Sequence, residues 1–173
     1  MIQKEIIMML KKLFGLTSTK KQETLLSPVT GRLVPIEEVP DPTFAEKMLG
    51  DGIAIVPSEG VVVSPIDGEV ISIFPTKHAI GLKSKQGLEI LIHIGLDTVN
   101  MRGEGFDAFV EVGDKVSAGT KLISFSIDLI KQKASDIITP VVITNSEVVK
   151  ELNRADFSEV KSGETEIIKV ELN

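Results

Sequence analysis

Residues 50–74 read GDGIAIVPSEGVVVSPIDGEVISIF. Three short apolar runs, Ile53–Val56, Val61–Val63 and Val70–Phe74, are separated by the turn-forming clusters PSEG and SPIDG. Runs of this length, rich in β-branched residues and bounded by Gly, Pro, Ser and Asp, are strands joined by tight turns. The same texture extends on both sides, through LLSPVTGRLVPI at 25–36, GLKSKQGLEILIHIG at 81–95 and GDKVSAGTKLISF at 113–125. Many short strands at such spacing predict an all-β sandwich or barrel. One stretch departs: Asp128–Ser135, DLIKQKAS, lacks the alternation and predicts a helix.

The quoted stretch also contains an echo. Ser64-Pro65-Ile66-Asp67-Gly68-Glu69-Val70-Ile71 repeats the pattern of Ser27-Pro28-Val29-Thr30-Gly31-Arg32-Leu33-Val34. Each is a turn leading into a strand, which suggests two related halves.

The N-terminal segment behaves differently. At 100° per residue, Ile2, Ile6, Met9, Leu10, Leu13 and Leu16 fall on one side of a helix, and Lys4, Lys11 and Lys12 on the other. Residues 1–23 therefore read as an amphipathic helix and linker, with the main domain at 24–173. The helix either packs on the domain, is an appended tail, or lies on an anionic membrane surface through residues 1–16.

Composition narrows the function classes. The 173 residues carry a net charge of −6, which argues against a nucleic-acid surface and for basic protein partners. There is no cysteine, so disulfides and thiolate chemistry are excluded. No run of 18 apolar residues is present, and the start of the chain lacks a signal-peptide cleavage pattern, so the chain is expected in the cytoplasm, with peripheral attachment at the inner membrane face if the anchor reading holds.

Only two histidines are available for chemistry. In Leu88–Gly95, LEILIHIG, the strand period places Ile90, Ile92 and Ile94 on a core face and Glu89, Leu91 and His93 on the other. His93 thus projects from a rigid strand, and its neutral imidazole offers a nucleophilic nitrogen near pH 7. In an extended chain, Thr76 points the same way as His78, so its hydroxyl can fix the orientation of that ring. Neither a G-x-x-x-x-G-K-[ST] loop nor a G-x-G-x-x-G turn occurs, so no nucleotide site is legible.

Taken together, several stretches resemble the glucose-type enzyme IIA of the bacterial sugar phosphotransferase system: Val39–Met48 (VPDPTFAEKM), Gly50–Ile55, Thr76–Ala79, His93–Val99 (HIGLDTV), Gly103–Phe106 and Thr139–Ile143. The resemblance implies an antiparallel β-sandwich built on a barrel-like duplicated motif. It implies that His93 carries a phosphoryl group on Nε2, that His78 contacts that group, and that Thr76 orients His78. It assigns Asp41 and Asp97 to the acidic rim, and Phe44, Phe74 and Val99 to the apolar surface where partners dock. The implied donor is the histidine phosphocarrier protein and the implied acceptor the enzyme IIB domain of a sugar permease. Regulatory targets are a further partner class in some bacteria. No cofactor is required; His78 and His93 are the residues a Zn²⁺ ion would use.

Two other readings compete. Val112–Leu122 resembles the strand-turn of biotinyl and lipoyl carrier domains, whose modified lysine sits on an exposed hairpin tip. Lys47 is the nearest candidate, and its flanks, Glu46 and Met48, are wrong. A zinc hydrolase on a related β-scaffold would need a third ligand; His93 and Asp97 have a ligand-like spacing, but no H-E-x-x-H motif is present.

Overall fold

The computed structural model describes residues 2–13, 21–156 and 158–173, without the side chains of residues 11–13. Among these residues helix α1 (Ile2–Leu13) precedes fourteen strands: β1 (Gln22–Leu26), β2 (Gly31–Pro35), β3 (Asp51–Pro57), β4 (Val61–Val63), β5 (Gly68–Ile73), β6 (Ala79–Ser84), β7 (Glu89–His93), β8 (Phe106–Ala108), β9 (Lys115–Val116), β10 (Lys121–Phe125), β11 (Thr139–Ile143), β12 (Val149–Arg154), β13 (Glu159–Val160) and β14 (Glu166–Leu172). Helix α2 (Pro42–Ala45) follows β2, and α3 (Ile127–Lys133) follows β10. The fold is an antiparallel β-sandwich. Its main sheet has the order β13-β2-β3-β11-β7-β6-β5-β9; two three-stranded sheets, β1-β14-β12 and β4-β10-β8, complete it.

The helix expected at Asp128–Ser135 begins slightly earlier. Ser126 is its N-cap, and the Ser126 hydroxyl accepts the Leu129 N–H at 3.2 Å.

The echo corresponds to a paired structure. Leu26 donates its N–H to the Pro65 carbonyl at 3.0 Å, and Val63 donates to the Pro28 carbonyl at 2.8 Å. Each half thus lends the same donor to the same proline of the other. The glycines that open the following strands, Gly31 and Gly68, lie against a neighbouring backbone so closely that an added Cβ would stand 2.1 Å from a carbonyl oxygen in both cases. Only glycine permits that approach.

Two apolar clusters lie on opposite faces of the main sheet. The larger includes Ile53, Ile55, Ile90, Ile92 and Ile94. The smaller joins Val34, Ile36, Val39, Phe44, Ala54, Leu96, Ile138 and Val142, with Leu91 packed against it. Central strands β3 and β11 are therefore buried on both sides and read as continuous apolar runs rather than alternating ones. The predicted division of β7 holds: Ile90 and Ile92 are buried, while Glu89, Leu91 and His93 are half-buried on the other face.

In α1 every described side chain is exposed, including Ile2, Ile6, Met9 and Leu10. The helix therefore does not pack on the domain through those residues. Leu16 and Lys20, and the side chains of Lys11, Lys12 and Leu13, lie outside the described residues. Among the described residues no helix is long and apolar enough to cross a membrane.

Candidate active site

The register of the main sheet brings the two histidines together. Ala79 of β6 pairs with His93 of β7, and the Ile94 N–H donates to the His78 carbonyl at 2.7 Å. The imidazole centroids are 5.0 Å apart and the rings nearly perpendicular, at 78°. Each ring packs on a phenylalanine: the centroids of Phe44 and His93 are 5.1 Å apart, and those of Phe74 and His78 are 5.3 Å apart with the rings at 86°.

Hydrogen bonding assigns the protons. His93 Nδ1 lies 2.8 Å from the Gly95 carbonyl. A carbonyl only accepts, so Nδ1 carries the hydrogen and Nε2 keeps a free lone pair. His78 Nδ1 lies 2.5 Å from the Thr76 hydroxyl. When that hydroxyl donates, His78 carries its hydrogen on Nε2 and can donate to an oxygen placed before it.

Gly95 is a required residue here. Its φ is +70°, and an added Cβ would stand 2.7 Å from Thr98 Cγ2 and 2.8 Å from the Asp136 carbonyl oxygen. Thr98 is buried and donates its hydroxyl to the Ile94 carbonyl at 2.6 Å. The loop that carries the Gly95 carbonyl is therefore held from below.

Electrostatics keep both rings neutral. His78 is 2% exposed, and burial, helped by repulsion from the charged form of His93, pushes its pKa down to about 4. Burial also lowers the His93 pKa, while the Gly95 carbonyl and the carboxylates of Asp41 and Asp97 oppose part of that shift. The carboxylates thus favour positive charge on His93 without enforcing it at pH 7.

Asp41 is the N-cap of α2 and accepts the Thr43 N–H at 2.9 Å. Asp97 sits in the left-handed region at φ 59°, at the head of a short 3-10 turn, Thr98–Met101. Its Oδ2 accepts the hydroxyl of Ser135. Among the described residues neither Asp41 nor Asp97 has an ion-pair partner.

The apolar rim differs from the expectation at one residue. Phe44 is only 3% exposed, because it fills the smaller core cluster beneath His93, so it offers a partner almost no area. Phe74 at 41% and Val99 at 53% are exposed, as the resemblance implies for a docking surface. Sequence reasoning passed over the Gly95 carbonyl and the Ser135 hydroxyl.

Lys47 is not on a hairpin tip. It follows α2 and pairs with Glu37 at 3.1 Å and Asp51 at 3.7 Å. Among the described residues no three His, Asp or Glu side chains converge as a metal-binding group.

Comparison with known proteins decides the family. The model of the phosphoenolpyruvate-dependent sugar phosphotransferase system, EIIA 1, matches residues 23–149. This chain belongs to that family. Its curated relatives include the PTS system glucose-specific EIIA component of Bacillus cereus, 56% identical over 162 residues, with 94% of this chain and 98% of the relative covered. The protein of the same name from Staphylococcus aureus is 49% identical over 166 residues, covering 95% and 100%. Among solved structures, the glucose permease IIA from Mycoplasma capricolum superposes with a TM-score of 0.81 at 40% identity, covering 86% of this chain and 96% of that one. Membership in the EIIA family makes this chain a phosphotransferase component of a sugar transport system. Neither the biotinyl/lipoyl carrier reading nor the zinc hydrolase reading finds support among these relatives.

Proposed function

We propose that His93 accepts a phosphoryl group on Nε2 from the histidine phosphocarrier protein and passes it to the enzyme IIB domain of a glucose-type permease. The observation that carries this reading is the His93 Nδ1–Gly95 carbonyl bond, which leaves Nε2 unprotonated beside His78. In the forward step the Nε2 lone pair forms a bond to phosphorus in line with the departing donor nitrogen. The old P–N bond breaks and its electrons return to the donor ring. The Nδ1 proton stays in place, so the phosphorylated ring gains positive charge. The Gly95 carbonyl and the carboxylates of Asp41 and Asp97 stabilise that charge. His78, held by Thr76, donates from Nε2 to a phosphoryl oxygen. Transfer of this kind depends on positioning and charge stabilisation more than on covalent machinery.

The partner surfaces follow from the rim. Phe74 and Val99 supply apolar contact, and Asp41 and Asp97 suit an arginine of the partner, which would then face the phosphoryl group. Glucose is the sugar that the relatives' names carry, and it is the first permease to test. The two imidazoles could give zinc half of a four-coordinate shell, the rest coming from a bound protein; regulatory targets would approach the same face. The exposed stripe of α1 is proposed to attach the chain reversibly to the cytoplasmic face of an anionic membrane.

The deciding experiment supplies phosphoenolpyruvate, the general phosphotransferase enzyme and the carrier protein. One acid-labile, base-stable phosphoryl group should appear on this chain. His93→Gln should remove it, and full labelling of that variant would overturn the assignment.

A further inference from the structure

Asp97 stands at the head of the Thr98–Met101 turn, where an aspartate commonly caps by accepting a backbone N–H. It makes no such bond. Its carboxylate turns instead to the hydroxyl of Ser135, just beyond the C-terminal end of α3. The two segments are stitched together on either side of this contact. The Leu96 N–H donates to the Asp136 carbonyl at 2.9 Å, and the Ser135 N–H donates to the Leu96 carbonyl at 3.2 Å. Asp136 is fixed in turn, because its Oδ1 accepts the Ile138 N–H at 2.8 Å. An exposed carboxylate on a left-handed residue has thus been given one fixed neighbour, on a frame that does not depend on its own turn.

A phosphoryl group arriving at His93 is an anion, and the Asp97 carboxylate stands four residues along on the Gly95 loop whose carbonyl accepts from that ring, with the field of Asp41 and Asp97 reaching the imidazole. Without an ion-pair partner of their own among the described residues, these carboxylates oppose the incoming charge unless the donor brings a cation between them. A planar guanidinium is the group best matched to a carboxylate held in one orientation.

We propose that Ser135 is a positioning residue for phosphoryl transfer, its hydroxyl holding the Asp97 carboxylate in the orientation that receives a guanidinium of the docking partner. The proposal rests on the reading of this face as the carrier-protein docking site. A held carboxylate loses less freedom on docking, so the effect belongs to encounter and binding rather than to the chemical step.

The test is a double-mutant cycle of Ser135→Ala and Asp97→Asn, read as transfer from the phosphorylated carrier protein at varied carrier concentration. Ser135→Ala should raise KM ~3–10-fold, as expected for freeing one interfacial side chain, with kcat changed by less than about twofold. In the Asp97→Asn background, Ser135→Ala should add nothing, because residues acting through one another are non-additive. Independent, multiplying effects would overturn the proposal, as would an unchanged KM in Ser135→Ala. Labelling that survives His93→Gln would instead overturn the underlying carrier reading, so the two failures are distinct.

Discussion

The Ser27 hydroxyl donates to the Val29 carbonyl at 2.7 Å, and the Ser64 hydroxyl donates to the Ile66 carbonyl at the same distance; both serines are fully buried. Their backbones match as well. Ser27 and Ser64 donate their N–H groups to Thr165 and Thr120, and accept from Gly163 and Gly119. Because the two environments are alike, Ser27→Ala and Ser64→Ala should destabilise the fold by similar amounts. Each leaves a buried carbonyl short of a donor, at about 1–3 kcal/mol. Urea denaturation checks both; a large cost at one site alone would deny their equivalence.

His78 and His93 should separate by role. A His78→Gln variant should still be labelled by the carrier protein, because Nε2 of His93 is intact. Its onward transfer to enzyme IIB should fall ~10²-fold, the scale on which one transition-state hydrogen bond acts. Rapid-quench transfer assays measure both steps on the same sample.

The buried imidazoles also set an acid limit on stability. Burial, with the neighbouring His93, holds the His78 pKa of the folded chain down to about 4, against an ordinary imidazole value of 6.5. Between those values the unfolded chain binds more protons, so folding stability falls as pH drops through that window and is unaffected by this group above it. The full difference is up to about 3 kcal/mol, and His93 shifts in the same direction. Wild type should therefore lose more stability between pH 7 and pH 4 than His78→Gln does. Parallel pH curves for the two proteins would contradict this.

Gly95→Ala should be costly in two ways. Strain at φ +70° and the collisions with Thr98 and Asp136 should destabilise by at least ~2 kcal/mol. Displacing the Gly95 carbonyl should also release the His93 tautomer and slow labelling. Nitrogen-15 spectra of the imidazole, which distinguish the two tautomers, give a readout separate from stability.

For α1, the expected behaviour is salt-sensitive binding to anionic vesicles. Each lysine near such a surface contributes about 1 kcal/mol, and each buried leucine or isoleucine side chain contributes up to roughly 1.5–3 kcal/mol. Sedimentation at low salt should bring down the full chain but much less of a chain lacking residues 1–20, while labelling of His93 stays equal. Full-length protein remaining in the supernatant would end the anchor reading.

Much of this arrangement was legible because it is local. The period of two in Glu89–His93 placed His93 opposite the core, and the turn chemistry around Ser27 and Ser64 announced the duplication. What escaped was set by register between distant segments. Nothing near Asp97 in sequence points to Ser135; the contact exists because Leu96 bridges to Asp136. Phe44 has the residue type of a docking surface, but it follows Val39 and Ile36 into the smaller core cluster, which only the chain path reveals. The 3-10 turns at Ile36–Glu38, Thr98–Met101 and Ser146–Val148 are too short to leave a periodic signal.

The pairing of β1 with β14, in which Gln22 meets Glu171, bears on how the molecule is made. A ribosome releases the first strand of the sandwich long before its hydrogen-bonding neighbour exists. β1 must wait, with its edge open, until β14 emerges. Contacts of such long sequence separation are slow to close, and an open edge is a hazard for chains synthesised side by side. Completion of the sheet therefore waits for Glu166–Leu172, and loss of that strand should leave the inner edges of both β1 and β12 unpaired.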